Sequence, residues 1–409
     1  MGDMEAWKKP IETGPIPESG SAFDVIVVGG GPGGSAAACY HSMAGSRVLL
    51  LEKEIWPRDK ICGDAVGGKS LSHVAELGVK PMIEQTPHFR VDSIIFSSSD
   101  GSEVRVMLPE EDFERLEAGY ALPRMQFDYM MFKQASELVM ENDGAVIQGF
   151  SVTDVEVENL SNGPAITGIT GYLGPKKEGH FLNFRAPLTI GAAGYNCPVA
   201  KKITESVFNE PFREDEHFCG GYREYWTGVE GCDSGTGPIE IHFIDEVNPG
   251  YFWIFPVNEN VVNVGVGMVI SEQRKQQGMR SSLKKMQKWI TSESDRFSHR
   301  FKGAQMVKGR VVVVGNFLSG PLESPRRHFN HDAVRWQVPC ALVIRPAWWI
   351  LSRARALATL FYQPNLQLSS SIQKSIRRVS RQIRLQRTWR HCGESSAMSL
   401  ATHIGYRGW

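Results

Sequence analysis

The sequence predicts an α/β protein, α+β overall, in which a Rossmann-like dinucleotide-binding domain carries an inserted domain built on an antiparallel sheet. Three observations carry this expectation. Residues 23–53 read as strand, glycine turn, helix and strand. Residues 91–108 and 217–268 alternate apolar and polar positions between Gly and Pro breaks. Helical spacing returns from Gln126 to Glu141, between the two β-rich segments, so the first domain resumes after an interruption.

The first unit reads FDVIVVGGGPGGSAAACYHSMAGSRVLLLEK from Phe23. Gly29, Gly31 and Gly34 form GxGxxG directly after the strand, with Gly33 inside the motif. The first glycine permits a tight turn, the second lets a pyrophosphate approach the backbone, and the third lets helix and strand pack closely. The helix that follows presents free N–H groups and a positive dipole end to the phosphates. Glu52, followed by Lys53, closes the second strand about twenty residues on, where an acidic side chain accepts hydrogen bonds from a ribose 2′-hydroxyl. The bland reading is a glycine-rich turn, and the strand, helix and terminal Glu together argue against it. This unit alone does not choose between FAD and NAD.

Composition sets outer bounds. Lys plus Arg equals Asp plus Glu at 45 each, so net charge supplies no reason to expect nucleic acid as a partner. Seven cysteines are scattered without metal-ligand spacing and are expected as reduced thiols, with no metal site. Residues 1–22 mix charged residues and Pro and read as a flexible lead. No apolar run reaches the roughly 18 residues of a transmembrane helix. The expected location is cytoplasmic, with at most peripheral membrane contact.

Two further segments decide the cofactor by resemblance. WPRDKICGDAVGGKSLSHVAELGV follows the second strand, and GYALPRMQFDYMMFKQASEL opens the later helix. Together they resemble the geranylgeranyl reductase family of FAD-dependent oxidoreductases, with its PRxKxCGD and YxxxRxxFD segments. The resemblance implies a FAD-binding domain of the glutathione-reductase or p-hydroxybenzoate-hydroxylase type. It also implies that Arg58 and Lys60 anchor a loop, that Cys62, Gly63 and Asp64 lie near the flavin, and that Arg124 contacts the cofactor. An Arg fork suits phosphate or flavin oxygens. Arg124 could instead cap a surface helix, and Cys62 could be a small buried hydrophobe. A third segment, APLTIGAAGYNCPVAKKI, is similar to the family's ADGxxSxxR element: Gly194 matches, whereas Ala193 replaces its Asp and Cys197 its usual Ser.

PGYFWIFPVNENVVNVGVGM, from Pro249 to Met268, resembles the family's PGYxWIFP motif. Strand periodicity puts Tyr251, Trp253 and Phe255 on one face, ending at Pro256. They form a wall suited to an isoprenoid chain, or else ordinary sheet core.

The end of the chain departs from the family. From Arg326 to Trp409 there are thirteen Arg, one Lys and two acids, Asp332 and Glu394, and the expected GDxxG and GEGI elements are missing. VIRPAWWILSRARALAT, residues 343–359, back-translates one base earlier to GDSAGLVDPFSGEGIGN, so a frame disruption explains the tail. The competing reading is an amphipathic membrane-surface helix over residues 338–361, which Pro346 interrupts.

The expected organisation is thus a lead over 1–22, a FAD domain over 23–84 and 115–205, a substrate domain over 85–114 and 206–309, and an atypical tail over 310–409. The resemblance implies reduction of isolated C=C bonds in a geranylgeranyl or other isoprenoid lipid, with Cys62 as a candidate proton-relay or positioning residue. NADPH or ferredoxin would supply electrons, the latter making an electron-donor protein a partner. The rival readings are a flavin-dependent monooxygenase or halogenase of the same superfamily, and a non-catalytic, damaged family member.

Overall fold

The protein's structure, a computed structural model, describes residues 9–60, 62–68, 70–109, 119–160, 163–175, 178–212, 218–315 and 341–343. The tail readings therefore fall outside the described residues, apart from 310–315 and the short strand β17 (Ala341–Val343).

Four more strands join β17 in one parallel sheet: β1 (Val25–Val28), β2 (Val48–Leu51), β7 (Ala145–Ile147) and β11 (Leu188–Gly191), in the order β17-β11-β1-β2-β7. The sequences VIVV and VLLL are apolar at every position because both faces of this sheet are covered. On one face lie helix α1 (Pro32–Met43) and helix α2 (Arg124–Glu141), the second presenting Phe127, Met130, Met131 and Phe132 to the core. The other face is covered by an antiparallel sheet of β8 (Phe150–Leu160), β9 (Gly163–Leu173) and β10 (His180–Arg185), through Phe150, Val155, Ile169 and Phe184. This three-stranded cover lies outside the segments whose alternation marked them as strands.

The second large sheet runs β16-β12-β15-β14-β13-β4-β6-β3 with β5 paired to β4. Its strands are β3 (Ala65–Gly67), β4 (Phe89–Ser97), β5 (Glu103–Met107), β6 (Gly119–Ala121), β12 (Phe218–Thr227), β13 (Thr236–His242), β14 (Gly250–Pro256), β15 (Val262–Val269) and β16 (Gln305–Gly315). The two segments expected to form strands do so, with one difference: β13 pairs with β4 in parallel, not antiparallel. Strand alternation fixes only which face a side chain takes, so direction had to come from the connection between the two segments. Helix α3 (Leu283–Ser292) covers one face, placing Leu283, Met286 and Ile290 at i, i+3 and i+7 against Phe252, Ile254, Val264 and Val266. The opposite face gathers Tyr251, Trp253 and Phe255 of β14 with Phe89 and Val91 of β4, Ala65 of β3 and Ala121 of β6.

Candidate active site

The glycine turn after β1 is tight for steric reasons. Gly29 adopts φ +107°, and a Cβ there would sit 2.5 Å from the Ala193 Cα. A Cβ on Gly34 would lie 1.7 Å from the Gly29 carbonyl oxygen, so helix α1 can approach β1 only without one. Gly33 stands half-buried in the first helical turn. Gly31, the N-cap, is different: a Cβ there would meet only the Arg58 guanidinium, at 3.5 Å, and no side chain caps the helix. The amides of that first turn remain free for a ligand.

Glu52 is buried at the end of β2, where the Gly30 N–H donates to Oε2 at 2.8 Å and the Glu54 N–H to Oε1 at 3.0 Å. It braces the glycine turn directly, a contact the ribose expectation did not contain. Lys53 projects outward and pairs with Glu54 at 3.4 Å.

Beside the turn is a cluster of three cations about one carboxylate. Asp128 is fully buried and receives Arg124 Nε at 2.6 Å, Arg124 Nη2 at 3.0 Å and Arg58 Nη1 at 3.2 Å. Burial opposes its ionisation, but Arg124 and Arg58 outweigh that and hold the carboxyl below its usual range. Lys60 is the third cation, with its Nζ 3.5 Å from where a Gly194 Cβ would be. Its side chain is exposed to solvent. Desolvation and then the nearby Arg124 lower its pKa. Asp128 was missed as a site residue, although the Arg124–Asp128 spacing of four on a helix was a legible signal. The Arg124 guanidinium faces this buried carboxylate, so it is no surface cap.

From this cluster the loop continues to Cys62, Gly63 and Asp64. Asp64 adopts φ +66° and is fully buried. It accepts from the Tyr225 hydroxyl at 2.5 Å, from Asn263 Nδ2 at 2.7 Å and, at the start of α2, from the Arg124 N–H at 3.1 Å. Burial pushes its carboxyl up, against the opposing pull of Arg223 and these donors. Burial, reinforced by Asp64, keeps the Tyr225 phenol well above its ordinary value, and the Arg223 guanidinium lies 4.0 Å over the Tyr225 ring. Asn263 also donates to the Cys62 carbonyl at 2.7 Å and accepts from the Trp253 indole N–H at 2.8 Å. The Cys62 thiol is free and half-buried. Neither Tyr225, Arg223 nor Asn263 was singled out from the sequence, because the loop residues they hold, Asp59, Cys62 and Asp64, lie more than 150 positions away.

Tyr251, Trp253 and Phe255 share one face of β14, as strand periodicity required, while Phe252 and Ile254 face α3. The three rings are 2–8% exposed and gather with Phe89, Val91 and Ile239. Trp253 lies against Gly265, where a Cβ would come within 2.0 Å of the indole, and Phe255 fills the space beside Gly63. Pro256 ends the strand, buried. Polar groups that hold the loop and an apolar aromatic face therefore adjoin on one sheet.

Comparison with known proteins accords with this arrangement. A model of the FAD binding domain matches residues 22–215, and a model of the geranylgeranyl reductase catalytic domain matches residues 219–311. Through these two matches the chain is similar to the geranylgeranyl reductase type of FAD-dependent oxidoreductases. Menaquinone reductase of Mycobacterium tuberculosis is 29% identical over 254 residues, 61% of this chain and 56% of that protein. Digeranylgeranylglycerophospholipid reductase of Methanothrix thermoacetophila is 28% identical over 304 residues, 73% of this chain and 67% of that protein. The chain spans little more than half the length of the first of these relatives. Among solved structures, a geranylgeranyl bacteriochlorophyll reductase-like protein of Thermoplasma acidophilum shares the fold with a TM-score of 0.62, at 19% identity over 90% of this chain and 84% of that one. A myxobacterial chondrochloren halogenase shares it with a TM-score of 0.59, at 18% identity over 89% and 80%.

The site fits FAD on structural grounds. The uncapped α1 terminus, the open Gly31 and the excess positive charge of Arg58, Lys60 and Arg124 suit a diphosphate. Among the described residues no cluster of His, Cys, Asp or Glu could hold a metal ion, and no helix is long and apolar enough to cross a membrane.

Proposed function

We propose that the protein reduces isolated C=C bonds in a geranylgeranyl or related isoprenoid chain. The observation that carries the reading is that the loop from the basic cluster ends directly against the aromatic face, with Phe255 beside Gly63 and Asn263 bridging Cys62, Asp64 and Trp253. Bound FAD would supply hydride chemistry. Gly31, Gly33 and the α1 amides would receive its diphosphate with Arg58 and Lys60, while Gly194 would leave room beside Lys60. Glu52 would keep the glycine turn in shape and turn its remaining acceptor capacity toward the ribose. Arg124 is spent mainly on Asp128, so its part is to set the charge of the cluster. Lys53, exposed and paired with Glu54, would serve only at the rim.

Asp64, Tyr225 and Asn263 would hold the loop so that Cys62 and Gly63 border the reacting end of the aromatic face. Tyr251, Trp253, Phe255 and Pro256 would exclude water and orient the chain by apolar contact, since an isoprenoid offers almost nothing to hydrogen-bond. Cys62 is the candidate for moving a proton to the second carbon.

The test is anaerobic turnover of the FAD-loaded full chain with dithionite and geranylgeranyl lipids, with products weighed by mass spectrometry. Gain of two mass units per reduced bond supports the reading. Intact substrate with full flavin occupancy overturns it. NADPH-dependent oxygen consumption on an aromatic substrate would establish the monooxygenase or halogenase alternative, and absence of bound flavin would establish the damaged, non-catalytic one.

A further inference from the structure

The aromatic face does not end at β14. Strand registers carry it sideways across three more strands in two rows: Trp253 pairs with Ile241, Ile241 with Phe96 and Phe96 with Val104, while Ile239 pairs with Ile94 and Ile94 with Val106, in line with Phe255. None of these eight side chains is charged. The rows grade in exposure: Trp253, Phe255 and Ile239 are buried, Ile94 and Ile241 half-buried, and Phe96, Val104 and Val106 exposed at 37%, 63% and 46%. Phe243, just beyond β13, is also exposed and meets Tyr251 edge-on at 6.4 Å between ring centroids. On the other side of Trp253 the same face turns small and polar, with Gly265 and Gly267 and then Asn263, Arg223 and Tyr225.

We infer that these two rows seat the distal part of the isoprenoid chain, which runs across the strands from β14 out to β5 while its reacting bond lies at Trp253. The inference rests on the proposed isoprenoid reading and adds where the rest of the chain lies. Four strands give an apolar path of about 14 Å from β14 to β5, at ~4.8 Å per strand. The absence of charge along both rows selects a hydrocarbon occupant, because a peptide or headgroup would need partners for its polar atoms. Continuity with the aromatic face selects the substrate's own tail. The opposite face of β5 carries Arg105 paired to Asp92, so the strand is amphipathic, with its apolar side turned to the path.

The test uses the FAD-loaded full chain and a geranylgeranyl lipid bearing a photoreactive diazirine at the far end of its chain. Labelled peptides are mapped by mass spectrometry, in competition with unlabelled lipid. Competable label on β4 and β5 is expected. Label on β14 but not on β4 or β5 overturns the seat while leaving the reductase reading standing. No competable label anywhere overturns the isoprenoid reading itself. Val104→Glu with Val106→Glu, both exposed and outside the reacting site, should raise KM for a twenty-carbon chain at least tenfold and leave a ten-carbon analogue within twofold. Equal loss for both lengths overturns the inference, as does a wild-type dimer that the double variant converts to a monomer without a chain-length effect.

Discussion

Asn263 Nδ2 donates to the Asp64 carboxylate at 2.7 Å, joining a strand of the second sheet to the loop that follows β2. The same side chain accepts from Trp253 and donates to Cys62, so one buried amide serves three segments. Asn263→Leu should leave the Trp253 N–H and the Asp64 carboxylate each short of a partner. The expected destabilisation is about 2–4 kcal/mol, read by urea unfolding, with an accompanying change in tryptophan emission. A loss below about 0.5 kcal/mol would show that water replaces the amide.

Gly31 and Gly34 separate ligand space from packing. Gly31→Ala, at φ −70° with only Arg58 nearby, should leave stability within about 0.5 kcal/mol yet weaken FAD binding at least tenfold by flavin fluorescence titration. Gly34→Ala should lower both, because its methyl collides with the Gly29 carbonyl. Unchanged FAD affinity in Gly31→Ala would remove the diphosphate from this turn.

Removing the central carboxylate of the cationic cluster should cost more than removing one of its partners. Asp128→Ala strands Arg58 and Arg124 without their shared acceptor and should destabilise the apoprotein by about 3–5 kcal/mol. Arg58→Ala leaves Asp128 paired to Arg124 and should cost less in stability, while weakening FAD binding. Thermal melts with and without FAD distinguish the two.

His41 gives the stability a pH dependence. It is buried in α1, its Nδ1 has no hydrogen-bond partner, and burial lowers its pKa from 6.5 to about 4. The unfolded chain binds this proton first, so stability is full above about 6.5 and falls as pH drops toward about 4, by about 3 kcal/mol in total. His41→Leu should flatten that part of the profile in urea titrations. An unchanged slope between pH 6.5 and 4 would place the titration elsewhere.

The legible part of the fold followed from short-range rules. Strand, GxGxxG, helix and strand are dictated by steric limits within 31 consecutive residues, and the structure forms them over β1, α1 and β2. Alternation likewise placed Tyr251, Trp253 and Phe255 on one face without any knowledge of the partner strands. Even Asp128 was within reach, since i,i+4 ion pairing depends on the helix alone.

Tertiary structure alone decided what those residues do to one another. Glu52 reaches the Gly30 amide only because parallel β1 and β2 bring the turn beside it, and Asp64 meets Tyr225 and Asn263 across 161 and 199 positions of sequence. The parallel pairing of β13 with β4, which carries the aromatic face out to an exposed edge, also lay beyond the sequence. Periodicity specifies the side a residue takes on its own strand. Which strands become neighbours depends on the combined burial of the whole sheet, a property that no local segment contains.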